Sequence, residues 1–173
     1  MTLTVTLFRH AKSSWDDVAL SDFDRPLSER GERDAPRMAA WLRAEQIAPD
    51  LVLCSTAQRT QQTLALIRTA WPDRVEVRLV EALYMADASV VLASLRDAPP
   101  ARRHVMVIGH NPGLEGAAKS LVGAGTANVR QTMATKFPTA ACAVITFAVT
   151  AWTAVAAGGG TLTHWMTPRG LGG

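Results

Sequence analysis

A chain of 173 residues with 48% hydrophobic and 19% charged side chains has the size and composition of one soluble globular domain, spanning 1–173, with a sizeable core. A net charge of +3, without a basic block or interleaved aromatic and basic residues, argues against nucleic acid as the partner. The two cysteines, Cys54 and Cys142, are too far apart in sequence to suggest a disulfide framework or a zinc pattern, and the N-terminus has no export signal, so a reducing cytoplasm is expected.

Residues 3–8 are a β-branched apolar run that predicts a buried strand ending at Arg9. After a polar loop, Ser28 can cap a helix whose Ala35, Met38, Trp41 and Leu42 recur at helical spacing. Pro36 within that run predicts a kink or a later start. PDLVLCS (49–55) reads as a second strand and 57–70 as a helix stopped near Pro72. RVEVRLV (74–80) alternates like a half-exposed strand, and 88–96 reads as a helix ended by Pro99 and Pro100. HVMVIGH (104–110) is a strongly apolar strand, followed by a short helix from Leu114 to Val122. From Phe137 to Pro168 there is no Asp, Glu, Lys or Arg, and AACAVITFAVTAWTAVAA reaches the minimum length of a membrane helix. Its Val, Ile and Thr content, and the GGG turn at 158–160 before TLTHWMT, favour two paired strands and no membrane span.

Strands alternating with helices predict an α/β fold, a three-layer α/β/α sandwich around a mostly parallel central sheet. Ligands of such sheets gather beyond the carboxyl ends of the strands. Arg9 and His10, the segment from Ser55 to Arg59, Glu81 and His110 each directly follow a predicted strand. Arginine offers a planar fork of donors matched to phosphate oxygens. A neutral imidazole is a nucleophile able to take up a phosphoryl group. Arg9, Arg59 and His110 around His10 therefore form a coherent phosphatase constellation that needs no metal, since cationic side chains can stabilise the transferring group.

Two other readings are weaker. A cysteine-based phosphatase spaces its Cys and Arg by five residues, whereas Cys54 and Arg59 are separated by four and Thr60 takes the arginine position; Cys54 fits a small buried residue better. His104 and His164 read as structural, with no metal-ligand spacing to a carboxylate or cysteine.

LFRHAKSSW, RPLSERG, STAQRTQQT, EALY and VIGHNPG, in this order, resemble the motif set of the histidine phosphatase superfamily, the phosphoglycerate mutase-like proteins. The short length and the EALY and GHNP wording look most like its SixA-like phosphohistidine phosphatase branch. The resemblance covers nearly the whole chain. It implies that His10 is the nucleophile, that Arg9 and Arg59 hold the phosphoryl group, that His110 stabilises it in transfer, and that Glu81 is the proton donor. Ser13 and Arg25 are further candidates for substrate binding, although Ser13 can equally cap a turn and Arg25 can equally pair with Asp22 or Asp24. The family usually has glycine where Ala11 follows the histidine; alanine is the smallest alternative, so tolerance is expected. No segment is long enough to build a cap domain, which predicts a shallow open pocket suited to phosphate on another protein. The expected substrate is therefore phosphohistidine on a partner protein, with no cofactor and no metal. The alternatives are a phosphatase for small phosphomonoesters and a catalytically idle phosphate-binding module.

Overall fold

Continuous apolar runs, buried along their length, set the centre of the sheet. The computed structural model describes residues 1–172. Its elements run β1 (Leu3–Arg9), α1 (Glu29–Ala44), β2 (Leu51–Ser55), α2 (Gln58–Ile67), β3 (Glu76–Val80), α3 (Ala88–Arg96), β4 (His104–Gly109), α4 (Gly113–Leu121), β5 (Val122–Gly125), α5 (Ala127–Thr135), β6 (Cys142–Phe147) and β7 (Gly160–Met166). The strands make one seven-stranded sheet in the order β3-β2-β4-β1-β6-β7-β5. Only β6 runs against the others, pairing antiparallel with both β1 and β7. The expected mostly parallel α/β/α sandwich is the observed fold.

The central strands are apolar on both faces, as strands covered by helices on both sides must be. Leu3, Val5 and Leu7 of β1 join Val105 and Val107 of β4 beneath α3, α4 and α5. Phe8, with Met106, Ile108 and Val52, packs on the other face against Met38 and Leu42 of α1 and Leu64 and Ile67 of α2. β3 is the partly exposed edge strand that its alternating sequence predicts.

Two differences from the sequence reading have physical causes. Helix α1 begins at Glu29, capped by the Ser28 side chain, which accepts from the Gly31 N–H, and runs through Pro36 without a later start. Pro36 and Glu32 both lie on the exposed face, where water can satisfy the Glu32 carbonyl that a proline leaves without its donor. The second difference is β5 and α5, which the sequence reading left without structure. The charge-free segment, by contrast, forms β6 and β7 as expected, and among the described residues no helix is long and apolar enough to cross a membrane.

Candidate active site

Parallel register carries β1, β2, β3 and β4 to one rim. Arg9 pairs with Gly109, Cys54 with Ile108 and Ser55 with Val80, so His10, Ser55, Glu81 and His110 emerge at the same carboxyl-end edge. The His10 backbone is pinned from two sides. Its N–H donates to the Gly109 carbonyl at 3.1 Å, and the Ala140 N–H donates to the carbonyls of Arg9 and His10 at 3.1 and 3.0 Å.

The His10 ring is fixed by its neighbour in sequence. Nδ1 lies 2.7 Å from the Ala11 carbonyl oxygen. A carbonyl only accepts, so the proton sits on Nδ1 and the lone pair on Nε2. Arg59 Nε–H reaches that Nε2 at 3.4 Å. Burial, reinforced by Arg59, pushes the His10 pKa down to about 3, which keeps the imidazole neutral near pH 7. Ala11 is fully buried, and its N–H donates to Thr63 Oγ1 at 3.0 Å, while that hydroxyl donates to the Arg59 carbonyl at 2.7 Å. Its backbone is absent from the left-handed positions of the chain, so alanine fits without strain where the family usually has glycine.

His110 stands beside His10, with ring centroids 5.3 Å apart. Its Nε2 contacts Ser55 Oγ at 2.7 Å, while Nδ1 is buried with no hydrogen-bond partner among the described residues. A Ser55 hydroxyl donating to Nε2 places the ring proton on Nδ1, leaving one unspent donor next to His10. Burial, with Arg59 second, lowers the His110 pKa to about 4. Arg9 donates through one terminal nitrogen to the Phe137 carbonyl at 3.0 Å, and its buried Nε is likewise unpartnered among the described residues.

The loop between β1 and α1 crosses this rim. Arg59 donates to the Asp22 carbonyl at 2.6 Å and to Asp22 Oδ2 at 3.1 Å. Tyr84 O–H donates to the same Oδ2 at 2.6 Å, and Arg25 donates to Oδ1 through Nε at 3.2 Å and a terminal nitrogen at 3.1 Å. The Tyr84 hydrogen bond foremost, then the arginines, hold the Asp22 carboxyl down at about 2. Arg25 thus pairs with Asp22, one of the two partners its sequence context offers, and its guanidinium lies 3.5 Å over the Trp15 ring. The site is consequently covered: His10, His110 and Arg59 are 6%, 3% and 2% exposed, less open than the absence of a cap domain led us to expect.

Ser13 is buried and bridges to Leu27 across the loop. Glu81 lies exposed at the start of the 3₁₀ turn Glu81–Leu83, and among the described residues no hydrogen bond or ion pair ties it to His10, Arg59 or His110. Among the described residues no group of three or more His, Cys, Asp or Glu side chains could hold a metal ion. Sequence reasoning left Ser55, Tyr84 and Asp22 without site roles, although Ser55 ends a predicted strand and Tyr84 lies within EALY.

Comparison with known proteins agrees with this geometry. Residues 5–87 match the model of the histidine phosphatase superfamily (branch 1). An uncharacterized protein of Mycobacterium tuberculosis is 38% identical over 163 residues, covering 93% of this chain and 99% of that protein. A solved structure described as a candidate phosphohistidine phosphatase SixA from Nakamurella multipartitia is 30% identical, with a TM-score of 0.84 and coverage of 97% of both chains. The chain belongs to the histidine phosphatase superfamily. It is a phosphatase with the phosphoglycerate mutase-like fold. The protein histidine phosphatase SixA complexed with tungstate is a further structural neighbour of this phosphatase, at 26% identity and a TM-score of 0.77 over 98% of this chain and 99% of that one.

Proposed function

We propose that this phosphatase works without a metal, through a phosphohistidine formed at His10, and that its substrate is phosphohistidine on a partner protein in the cytoplasm. The observation that carries the mechanism is the Ala11 carbonyl on His10 Nδ1, which puts the ring proton on Nδ1 and the nucleophilic lone pair on Nε2. Nε2 attacks phosphorus and the bond to the leaving group breaks, the departing atom taking a proton. Water then attacks phosphorus, the bond to Nε2 breaks, and inorganic phosphate leaves. Arg9, Arg59 and the Nδ1 donor of His110 stabilise the equatorial oxygens, with Arg25 and Ser13 at the border of the phosphate site. Glu81 serves as proton donor from the outer rim. A phosphoramidate needs that acid less than an ester does, because its ring nitrogen can be protonated by solvent.

Exposed apolar side chains support a protein as the carrier of the phosphate. Trp15, Val18, Leu20 and Phe23 lie on the loop that holds Asp22, and Met85 follows Tyr84; these five are among the seven large hydrophobic residues left exposed among the described residues. Phe23 packs edge-on against Tyr84 at 5.0 Å and Met85 Sδ lies 3.8 Å from Arg59, so the apolar residues border the phosphate site. Such a rim suits a macromolecular surface better than a small polar ester.

The test is a labelled phosphohistidine protein quenched with enzyme in alkaline detergent. Base-stable, acid-labile label should appear on the wild type and be absent from His10→Ala, whose kcat should fall on the order of 10⁴-fold. Activity should survive dialysis against EDTA. Label retained by His10→Ala, or full activity on small esters with none on phosphohistidine, would reject the reading.

A further inference from the structure

The best-partnered anion near the nucleophile belongs to the protein itself. Asp22 receives Arg59, Arg25 and Tyr84 on its carboxylate, and Arg59 again on its carbonyl. These are the planar fork contacts that phosphate oxygens attract. Arg59 meanwhile donates Nε–H to His10 Nε2 at 3.4 Å, so the nucleophilic lone pair is engaged in the same arrangement. An incoming phosphoryl group needs both the Arg59 donors and the Nε2 lone pair.

We propose that Asp22 is a specificity-determining residue, an internal anion that occupies the arginine site of the resting enzyme and is withdrawn when a phosphorylated protein engages the apolar loop around it. This rests on the reading of the substrate as phosphohistidine carried by a protein.

Three features make the contact releasable. The Asp22 side chain is 44% exposed although Arg59 is 2% exposed, so charge and not burial holds it, and water can receive it. The segment around it is a loop of turns and bends between Ser13 and Leu27 rather than a regular element. The side chains able to grip a partner, Trp15, Val18, Leu20 and Phe23, flank Asp22 on that loop. A partner covering them shifts the loop and draws the carboxylate from Arg59. A small phosphate ester offers no such grip, and must displace Asp22 with its own charge alone. Asp22 therefore discriminates by requiring contact away from the phosphate, in the way remote binding energy is used elsewhere to reach a reactive state.

Asp22→Asn keeps the side-chain shape and removes the charge. Calorimetric titration of inorganic phosphate into the protein reads the displacement without any turnover. Tenfold or tighter binding by Asp22→Asn is expected, because charge-assisted bonds are about twice as strong as neutral ones. The same variant should raise kcat/KM on p-nitrophenyl phosphate by a similar factor and raise turnover at saturating phosphohistidine protein by a clearly smaller one, because that substrate already withdraws Asp22 when bound. Tyr84→Phe removes one donor to Asp22 and should tighten phosphate binding in the same direction by a smaller factor. Unchanged or weaker phosphate binding in Asp22→Asn would overturn the proposal and make Asp22 a support for Arg59. Equal gains on both substrates would overturn the role in specificity. Tighter phosphate binding together with a wild type inert toward phosphohistidine would reject the substrate reading while upholding Asp22 as the displaced anion.

Discussion

β4 carries a histidine at its first residue and another directly after its last, and both are buried enough to lose basicity. Burial lowers His104 and His110 alike, each to about 4. Their surroundings differ. His104 Nε2 meets Thr6 Oγ1 at 2.7 Å, and the Asp50 carboxylate accepts from the backbone N–H groups of Arg103 and His104 at 2.8 and 3.3 Å. His110 faces Arg59, Arg9 and His10, with Nδ1 unspent. A depressed histidine pKa thus marks burial at both ends of one strand, and leftover donors with converging cations set the His110 end apart as the candidate for chemistry.

The largest expected effect separates the two ends. His110→Asn should lower kcat by about 10²–10³-fold, as loss of one donor to a developing oxyanion does. His104→Asn should leave kcat within about twofold and reduce stability by about 1 kcal/mol in urea, the cost of a broken, partly buried hydrogen bond. Comparable losses of kcat from both would erase the distinction.

Acid should act on both ends together. His10, His104 and His110 have folded pKa values of about 3, 4 and 4, below the ordinary value near 6.5. Below that value the unfolded chain binds protons that the native protein does not. Stability is therefore fully present above about pH 6.5 and falls as pH drops toward the folded values, by up to about 1.4 kcal/mol per pH unit for each histidine. Urea midpoints between pH 7 and 5 should show this decline, and His104→Leu should flatten it. The imidazole NMR signals of His10 and His110 should stay those of neutral rings down to pH 5; a midpoint near 6.5 at either would contradict the burial argument.

Smaller effects sharpen the active end. Ser55→Ala frees His110 Nε2 from its orienting hydroxyl and should cost about tenfold in kcat, a hydrogen bond's worth, with the midpoint in urea reporting any separate loss of stability. Glu81→Gln should change phosphohistidine turnover by only about threefold while lowering hydrolysis of alkyl phosphates by about 10²-fold, the scale of a lost general acid. Equal losses on both substrates would remove Glu81 from the role of proton donor.

What the sequence made legible was whatever repeats with a period or ends a strand. His10 and His110 stand at the ends of apolar runs and Glu81 at the end of an alternating one, and all three runs are strands. Arg59 lies one residue inside α2, close enough to β2 to be read with its end. Asp22 was hidden because a loop has no period, and nothing local distinguishes the acid that meets Arg59 from Asp24 two residues on. Helix α5 escaped notice because Met133 is its one buried residue, too few for an apolar stripe to emerge. β5 reads VGAG, whose glycines lack the branched side chains that mark a strand. Pro36 offered a kink or a later start, and the start at Glu29 rules out the second: whether a proline ends a helix depends on the face it occupies, which the residue alone does not give.

The place of β6 in the sheet also orders events in time. β1 is translated well before β6, yet one of its edges is filled only by Cys142–Phe147. The carbonyls of Arg9 and His10 wait for the Ala140 N–H, and Arg9 waits for the Phe137 carbonyl. Until then the nascent chain carries Arg9 and His10 at the end of a strand with an open apolar edge, a template for unwanted pairing. Chains that terminate before residue 137 should be inactive and sticky, so synthesis itself delays the appearance of phosphatase activity until β6 has been translated.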